Sequence, residues 1–571
     1  MNMKQFKSIC MKTMNIKYIS AAILGLLMMA CSEDFVDLKP IASGSEATYY
    51  TTMTSADQAI TACYSNFCME KLWDLTIMMG MGSIASDEAE AGAGGKTDVL
   101  AYNHIDQLRH TSSEADIFDW TWGYLYKTIN YCNVAILRLP DISIDSDPTY
   151  DATLIKERMG EAYFLRAFNY FTLSQIYGGV PVYDKILAVD EYNKPRNSIA
   201  EVYALIKSDL AKAIEDLPER DGWGADIGRA SKGAANALMA KVYLYESSYA
   251  KYYTGDERFE GLTQHWDSVS YYARKVINSG QYKLVGIDGE RFSTWRSDNT
   301  GGYQWIFMLA GNNSKESVFE IQNTQDGQAW FYTRGTALCR WTAPRKLNTI
   351  YSETTDGVDY GWGWWSPAKA LTSAYETGDP RYKATVMTEG DSVLCNVASD
   401  KGVAWRTVNF NILKAATGLN TLSRKYECSY EEYWKNSKGW QDGPIHVKLI
   451  RYADVVLFAA EAEFEMGNTD KALEYINMVR TRARMSGDTG SPANLTSISH
   501  DDIVHERLVE LGCEGHRFFD LVRWNLATKY LNHTLADGDE IVFVPGKHEF
   551  FPIPEQQIGL SNGVLKQYSG W

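Results

Sequence analysis

The segment RYADVVLFAAEAEFEMGNTDKALEYINMVRTRAR, residues 451–484, decides the fold. Its first half is largely apolar up to Gly467, and glycine commonly ends a helix because it tolerates a left-handed backbone. Asn468 is favourable at a helix start, and small and branched apolar residues then recur on one helical face. The segment therefore predicts two helices within 34 residues, which is the period of a tetratricopeptide helix hairpin.

Two more segments have strong helical character. ERMGEAYFLRAFNYFTLSQIY, residues 157–177, is apolar around nearly its whole circumference, so neighbours must cover it on several sides. SKGAANALMAKVYLYES, residues 231–247, carries closely spaced alanines that let a second helix approach. Together with residues 451–484, these segments predict stacked helix pairs that bury a shared seam.

Residues from about 285 to 445 follow a different pattern, because helical periodicity fades and glycines become frequent. Ten of the 17 tryptophans fall in this stretch. We expect a mainly all-α fold with a tetratricopeptide-like scaffold at about 40–284 and 446–530. The irregular, aromatic-rich insertion at about 285–445 would form the ligand-binding half, because long loops on rigid scaffolds often carry function.

The N-terminus has the features of a secretion signal. Lysines precede the apolar run YISAAILGLLMMA, which ends directly before Cys31 and is too short to span a bilayer. Ala30 before Cys31 resembles the cleavage motif of bacterial lipoproteins. We therefore expect a signal peptide at 1–30, a lipid on Cys31 and a single mature domain at 31–571.

Composition excludes some classes of function. The formal net charge of -16 argues against nucleic-acid binding, which depends on clustered Lys and Arg. Seven cysteines follow Cys31, an odd number without zinc-ligand spacing. They predict mostly buried thiols and not a disulfide framework.

Ordered motifs along nearly the whole chain resemble one family. They are CSEDFVDLKP (31–40), GEAYFLRAFNYFTLSQIYGGVPV (160–182), SKGAANALMAKVYLY (231–245), ARKVINSGQYKL (273–284), SAYETGDPR (373–381), RYADVVLFAAEAEFEMG (451–467), ERLVELGCEGHRFFDLVRW (506–524) and FFPIPEQQI (550–558). This series resembles the SusD/RagB family of outer-membrane nutrient-binding lipoproteins.

The resemblance implies a lipid-anchored protein on the outer face of a Gram-negative outer membrane, as in Bacteroidetes. It implies binding of an oligosaccharide or polysaccharide, without catalysis and without a cofactor. It also implies a partner, a SusC-like TonB-dependent barrel transporter, over which the lipoprotein sits as a lid. The acids just after Cys31 resemble the export signal of such surface lipoproteins.

Aromatic residues in loops are the main candidates for ligand contact. Flat rings pack against the apolar faces of sugars, while amides and charged groups bind the hydroxyls. The segments NTQDGQAWFYTRGTALCRW (323–341) and GWGWW (361–365) combine these residue types. Their candidates are Trp330, Tyr332, Arg340, Trp341, Trp364 and Trp365; the alternative is that many of these rings belong to the core.

A second candidate segment comes from the N-terminal third. The family resemblance implies that a loop there completes the ligand site, and residues 71–98 are rich in glycine. We expect this segment to form a flexible lip that carries Trp73, Asp87 and Glu88, unless Trp73 packs inward beside its leucine neighbours.

Two other functions remain as alternatives. A surface glycoside hydrolase would need two carboxylates about 5 to 9.5 Å apart, and the local cluster SDEAE (86–90) is the best source of such a pair. A peptide-binding uptake protein of the same family would need less stacked aromatic surface. We expect no metal site, because the calcium-like stretch DSDPTYD (145–151) lacks the required glycine and closing glutamate.

Overall fold

The computed structural model describes residues 49–69, 72–188, 191–292, 301–325, 334–344, 361–396, 403–407, 419–428, 432 and 442–571. The predicted signal peptide and Cys31, Trp330 and Tyr332 lie outside these ranges. Their roles stay predictions.

Most of the regular structure among the described residues is helical. The α-helices are α1 (Met53–Ser65), α2 (Leu100–Asp106), α3 (Ala115–Arg138), α4 (Ala152–Tyr177), α5 (Ile199–Asp216), α6 (Lys232–Tyr252), α7 (Trp266–Ile277), α8 (Gly301–Trp305), α9 (Leu338–Trp341), α10 (Lys369–Thr372), α11 (Pro380–Thr385), α12 (Tyr452–Glu465), α13 (Thr469–Met485), α14 (His500–Leu511), α15 (Arg517–Arg523), α16 (Ala527–Tyr530) and α17 (Glu555–Leu560). A π-helix spans Leu72–Ile84, and 3-10 turns span Asn66–Cys68, Leu139–Asp141, Arg220–Asp226, Glu257–Phe259 and Leu309–Gly311. The mainly all-α prediction is confirmed.

The strands are short and pair two by two, always antiparallel. They are β1 (Ala89–Gly92), β2 (Ser317–Ile321), β3 (Trp364–Pro367), β4 (Val386–Thr388), β5 (Ser392–Asn396), β6 (Val403–Thr407), β7 (Thr421–Ser423), β8 (Val447–Arg451), β9 (His533–Thr534) and β10 (Glu540–Ile541). The pairs are β1 with β3, β2 with β8, β4 with β7, β5 with β6, and β9 with β10.

The helix pairs predicted from the sequence form the scaffold. Gly467, with φ of +81°, separates α12 from α13, and Gly178, with φ of +73°, ends α4. The long helices pack in the spatial order α3, α4, α5, α6, α7, α12 and α13, so each inner helix of the series packs against two others. This arrangement buries α4 on several sides, as its apolar circumference predicts.

The chain divides into two compact units. The smaller comprises Met1–Ser55 and Asp141–Tyr150, in which the Met53 amide donates a hydrogen bond of 2.8 Å to the Asp147 carboxylate. The larger comprises Ala56–Pro140 and Asp151–Trp571 and contains every feature discussed below.

A network of buried ion pairs lies where α13, α14 and β8 meet. The Arg451 guanidinium contacts Glu514 at 2.7 Å, Glu510 at 2.6 Å and Glu316 at 3.0 Å, and each of these side chains is at most 1% exposed. Arg381 joins the same network through Glu510, at 3.0 Å. Because every charge has a partner, the network supplies the pairing that buried charges require.

A second buried network links α6, α12, α14 and α15. Arg523 contacts Glu461 at 2.5 Å and Asp520 at 2.9 Å, and Arg507 contacts Asp520 at 2.8 Å. Arg523 and Asp520 are three positions apart near the end of α15, whereas Arg507 and Asp520 join two helices, so these ion pairs hold the scaffold together. These side chains are buried, so they belong to the core and not to a solvated helix face.

Candidate functional site

A groove of about 480 Å³ opens beside the start of the predicted binding segment. It lies between the end of α1, the turn after Asp226 and strand β2. We call it the Tyr64 groove; the residues that define it are Tyr64, Phe67, Asp226, Gly228, Arg229, Asn313, Phe319, Gln322 and Arg334.

The floor of the Tyr64 groove is aromatic. The ring of Phe67 meets Phe319 edge-on, with the centroids 5.9 Å apart. On its other side Phe67 stacks parallel to Trp73 at 5.1 Å. Since rings that pack on both sides cannot turn freely, this floor is rigid. Phe67 and Phe319 are each 4% exposed, so the floor offers the groove only a small apolar area.

One wall of the groove is held by a buried carboxylate. Glu161 of α4 accepts a hydrogen bond of 2.8 Å from the Tyr64 hydroxyl and pairs with Arg229 at 3.1 Å. The Tyr64 hydroxyl also accepts a bond of 2.9 Å from the Ala230 amide. Burial raises the pKa of Tyr64 well above its ordinary value, so its hydroxyl stays protonated and donates to Glu161.

The rim of the groove carries two side-chain amides that bind each other. Asn313 Nδ2 donates to Gln322 Oε1 at 2.9 Å, and Gln322 Nε2 donates to Asn313 Oδ1 at 3.1 Å. Gly228 lies against them: a Cβ there would come within 2.3 Å of the Gln322 side chain. Gln322 Nε2 also donates to the Glu320 carbonyl at 3.4 Å, so the amide pair is held in a fixed position at the rim.

Glu320 supports the rim from below. Its carboxylate accepts a hydrogen bond of 2.6 Å from the backbone N–H of Asn313. It also contacts His446 at 2.6 Å and Lys448 at 3.4 Å. Burial alone would raise the pKa of Glu320, but Lys448 and His446 overcome it and lower the pKa to about 2. The rim is therefore anchored to a permanently charged group.

Arg334 adds an exposed cation to the mouth of the groove. Its backbone carbonyl accepts a bond of 2.9 Å from the Thr324 amide. The residues after it are fixed by the π-helix, where Asp74 accepts bonds from the Thr336 hydroxyl at 2.8 Å and the Ala337 amide at 3.1 Å. A groove with an aromatic floor, an amide rim and an exposed cation at its mouth suits a ligand with apolar faces and hydrogen-bonding edges.

The predicted tryptophans at 341, 364 and 365 lie in the interior, at most 3% exposed. Trp341 contacts Trp364 at 5.2 Å, and Trp365 stacks on Tyr426 at 5.4 Å. Trp362 is partly exposed and meets Trp341 at 5.2 Å. In this conformation the three buried rings have no free face, so they can act on a ligand only by positioning other groups.

Strands β1 and β3 join the two predicted segments directly. Ala89 lies opposite Pro367 and Gly92 opposite Trp364, so residues 71–98 and 361–381 do come together. The expected flexible lip is nevertheless wrong for residues 72–84, because the π-helix there is buried throughout. Its isoleucines, leucines and methionines cover all sides, which leaves no polar face for solvent.

Trp73, Asp87 and Glu88 are also buried. Trp73 supports the groove floor from behind, through its stack with Phe67. Asp87 forms a two-pronged ion pair with Arg517, at 2.8 Å on each side. Glu88 accepts a bond of 3.3 Å from the Cys513 amide. Asp87 and Glu88 therefore face α15 and its preceding loop, while Glu90 accepts bonds from the Ala536 amide.

Arg340 is partly exposed, and its carbonyl accepts a bond of 3.1 Å from the Trp362 amide. The Tyr64 groove does not include it. Tyr64, Arg229 and Asn313 were missed by sequence reasoning. They lie in three separated segments that no local pattern links. The one sequence signal for the Tyr64 groove was the predicted binding segment 323–341, which contains Arg334 and follows Gln322.

Glu88 makes stability depend on pH. Burial raises the pKa of Glu88 from 4.5 to about 8, so the folded protein holds this proton more tightly than the unfolded chain does. The contribution of protonated Glu88 to the free energy of unfolding is fully present below about pH 4.5. It is lost as the pH rises towards 8, because the unfolded chain then releases this proton more readily than the folded protein does. We expect Glu88→Gln to remove that loss, so the variant gains in unfolding temperature over the parent between pH 5 and 8.5. Thermal unfolding across this range measures the gain.

The control for Glu88→Gln is Glu474→Gln, because Glu474 is 58% exposed in its pair with Lys471. That variant should follow the parent at every pH. Parallel pH profiles for Glu88→Gln and the parent would contradict the assignment.

Within the described part of the chain, no cluster of three or more His, Cys, Asp or Glu side chains is arranged to hold a metal ion. None of the described helices is both long enough and apolar enough to cross a membrane.

The structure has known relatives in fold. A laminarin-binding SusD-like protein superposes with a TM-score of 0.69 at 24% identity, covering 91% of this chain and 100% of that one. Surface glycan-binding protein A from Bacteroides thetaiotaomicron, in complex with laminarihexaose, superposes with a TM-score of 0.68 at 22% identity, again over 91% and 100%. These likenesses establish the fold.

Sequence comparison gives the same family. A SusD-like protein of Bacteroides ovatus is 25% identical and covers 91% of this chain and 85% of its own length. SusD-like protein P38 of Formosa agariphila is 24% identical over 93% of this chain and 94% of its own. The profile described as SusD family matches residues 315–571, and one described as starch-binding and associating with the outer membrane matches residues 76–244. This chain belongs to the SusD/RagB family.

Proposed function

We propose that this protein binds glycans at the cell surface and delivers them to a transporter. The observation that carries the proposal is the Tyr64 groove, whose aromatic floor and amide rim match the two kinds of surface a sugar ring presents. The family relatives that bind laminarin or laminarihexaose support the same class of ligand.

The transporter is a SusC-like TonB-dependent barrel, with this protein as its lid and a lipid on Cys31 as its anchor in the outer membrane. The family profile that describes association with the outer membrane supports this location. Modest affinity is sufficient, because a bound oligosaccharide next to the pore is present at a raised effective concentration. Binding proceeds without turnover, since Asp87 and Glu88 are buried among scaffold groups.

Calorimetry of the purified protein against a panel of neutral and acidic glycans, beginning with laminarihexaose, tests the proposal. Product analysis of the same mixtures tests turnover. Saturable binding without new reducing ends is the expected result. New reducing ends would overturn binding without catalysis, and binding of peptides but no glycan would overturn the ligand class.

The groove itself is tested by Gln322→Ala and Arg334→Ala. Both residues stand at the rim, so we expect each variant to lower glycan affinity while the unfolding temperature changes little. Loss of a hydrogen bond that leaves a partner unsatisfied costs about 1–3 kcal/mol, so affinity should fall on the order of ten-fold for Gln322→Ala. Trp330→Ala and Tyr332→Ala test the earlier sequence prediction in the same titration.

The matched control is Gln264→Ala. Gln264 is exposed, accepts a bond of 3.0 Å from the Trp266 indole and lies outside the groove. Its replacement should leave glycan affinity unchanged. Equal affinities for the parent and both rim variants would place the binding site elsewhere.

A further inference from the structure

A second pocket, of about 470 Å³, lies between α3, the described residues 181–188 and 191–194, and helix α17. We call it the Tyr192 pocket; the residues used below are Trp122, Tyr126, Lys127, Asn130, Tyr183, Tyr192, Asn193 and Lys194. No residue lines both this pocket and the Tyr64 groove.

One side of the Tyr192 pocket is a continuous aromatic wall. Trp122 and Tyr126 are 4.9 Å apart between ring centroids, and Tyr126 and Tyr183 are 5.5 Å apart. Backbone carbonyls hold the hydroxyls: Tyr126 donates to Pro181 at 2.8 Å and Tyr183 to Tyr192 at 2.6 Å. The wall is therefore set in place before any ligand arrives.

Tyr192 is the exposed ring at the mouth. Its side chain is 55% exposed, the second-highest exposure among the large apolar and aromatic side chains of α3, α17 and residues 181–194. The exposed face of a tyrosine ring is apolar, so removing water from it costs little free energy when a flat ligand covers it. The amides of Asn130 and Asn193 are exposed beside it and add hydrogen-bonding groups.

The charge of the lining is unusual for an acidic protein. Three lysines line the pocket, and no aspartate or glutamate is among the described lining residues. Lys185 is paired with Glu191. Lys127 and Lys194 form no ion pair within 4 Å of a described residue, and their ammonium groups lie over Tyr131 at 5.8 Å and Tyr183 at 5.3 Å. Lys194 also donates a bond of 3.4 Å to the Val182 carbonyl, and its charge helps Lys185 to lower the pKa of Glu191. Three lysines around one nearby carboxylate among the described residues favour an anionic ligand.

We propose that the Tyr192 pocket is a second sugar site, specific for saccharides that carry a carboxylate. The aromatic wall packs against the sugar ring, the amides bind hydroxyls, and Lys127 and Lys194 bind the carboxylate. The inference extends the proposed function by adding a site and naming a ligand class. The Tyr64 groove variants distinguish a failure of the proposed function from a failure of this inference, because they leave the Tyr192 pocket intact.

The test is calorimetry of the full protein with trigalacturonic acid and with its carboxyl-reduced counterpart, which has the same shape without the charge. We expect the acidic trisaccharide to bind at least ten-fold more tightly, with an affinity that falls as salt rises. Tyr192→Ala should lower this affinity at least ten-fold. The double variant Lys127→Met and Lys194→Met should remove the preference for the acidic form while keeping the stems that pack on the rings.

Tyr271→Ala is the matched control, since Tyr271 is 49% exposed on α7, away from the pocket. It should bind like the parent. No binding of the acidic trisaccharide, or binding that Tyr192→Ala leaves unchanged, would overturn the proposal. Equal binding of the reduced form would overturn the acidic specificity. Loss of transporter binding in Tyr192→Ala, without any saccharide binding, would reassign the pocket to a protein interface.

Discussion

Replacing Arg451 with methionine is expected to lower the free energy of unfolding by about 3–5 kcal/mol, the usual cost of removing one partner from a buried ion pair. The guanidinium contacts Glu316, Glu510 and Glu514, all within 3.0 Å. Methionine fills a similar volume, so the main loss is electrostatic. In the variant, the three carboxylates would have fewer cationic partners in a buried region where water cannot stabilise their charge, which destabilises the folded state.

Denaturant unfolding of the purified protein measures this loss. Lys471→Met is the matched control, because Lys471 is 42% exposed and its pair with Glu474, at 2.7 Å, is open to solvent. Such surface pairs contribute about 0–1 kcal/mol. A loss for Arg451→Met no larger than that of the control would show that the network does not stabilise the fold.

Replacing Gly82 with alanine is expected to destabilise the protein by about 3 kcal/mol, at the upper end of overpacking costs. A Cβ at Gly82 would lie 2.2 Å from the carbonyl oxygen of Gly515. Gly515 cannot move away easily, because it has a φ of +80° and packs against the Met78 backbone. Backbone atoms are involved on both sides, so no side chain can rotate to make room.

Gly123→Ala is the matched control for that substitution. Gly123 lies in the middle of α3 and has no atom within 4 Å of its Cβ position. Alanine there should stabilise the protein by about 0.5–1 kcal/mol through its higher helix propensity. The two changes should therefore shift the unfolding midpoint in opposite directions. A midpoint for Gly82→Ala at or above that of the parent would show that the π-helix can separate from the loop at Gly515.

The helical scaffold could be predicted because its signals are local. The period of apolar residues, Gly467 between α12 and α13, and Gly178 after α4 each act within a few residues of their own position. None of these inferences needed to know what lies opposite each helix.

The candidate site could be predicted only in part. Aromatic content marked residues 323–341 as a binding segment, and Gln322 and Arg334 of the Tyr64 groove do lie beside or within it. The same reasoning treated residues 72–84 as a flexible lip, although they form a buried π-helix. Glycine content indicates freedom only when a segment is exposed, and here Gly82 permits close packing instead.

The sequence by itself determined the helix pairs, the helix ends at Gly178 and Gly467 and the family, because these depend on residue order and local periodicity. Only the tertiary structure decided which aromatic rings face solvent: Tyr192 is exposed, whereas Trp364 and Trp365 are enclosed. Burial depends on what packs against a ring from distant parts of the chain. Tyr64, Arg229 and Gln322 form one groove because α1, the turn after Asp226 and β2 meet in space, and no local pattern encodes that meeting.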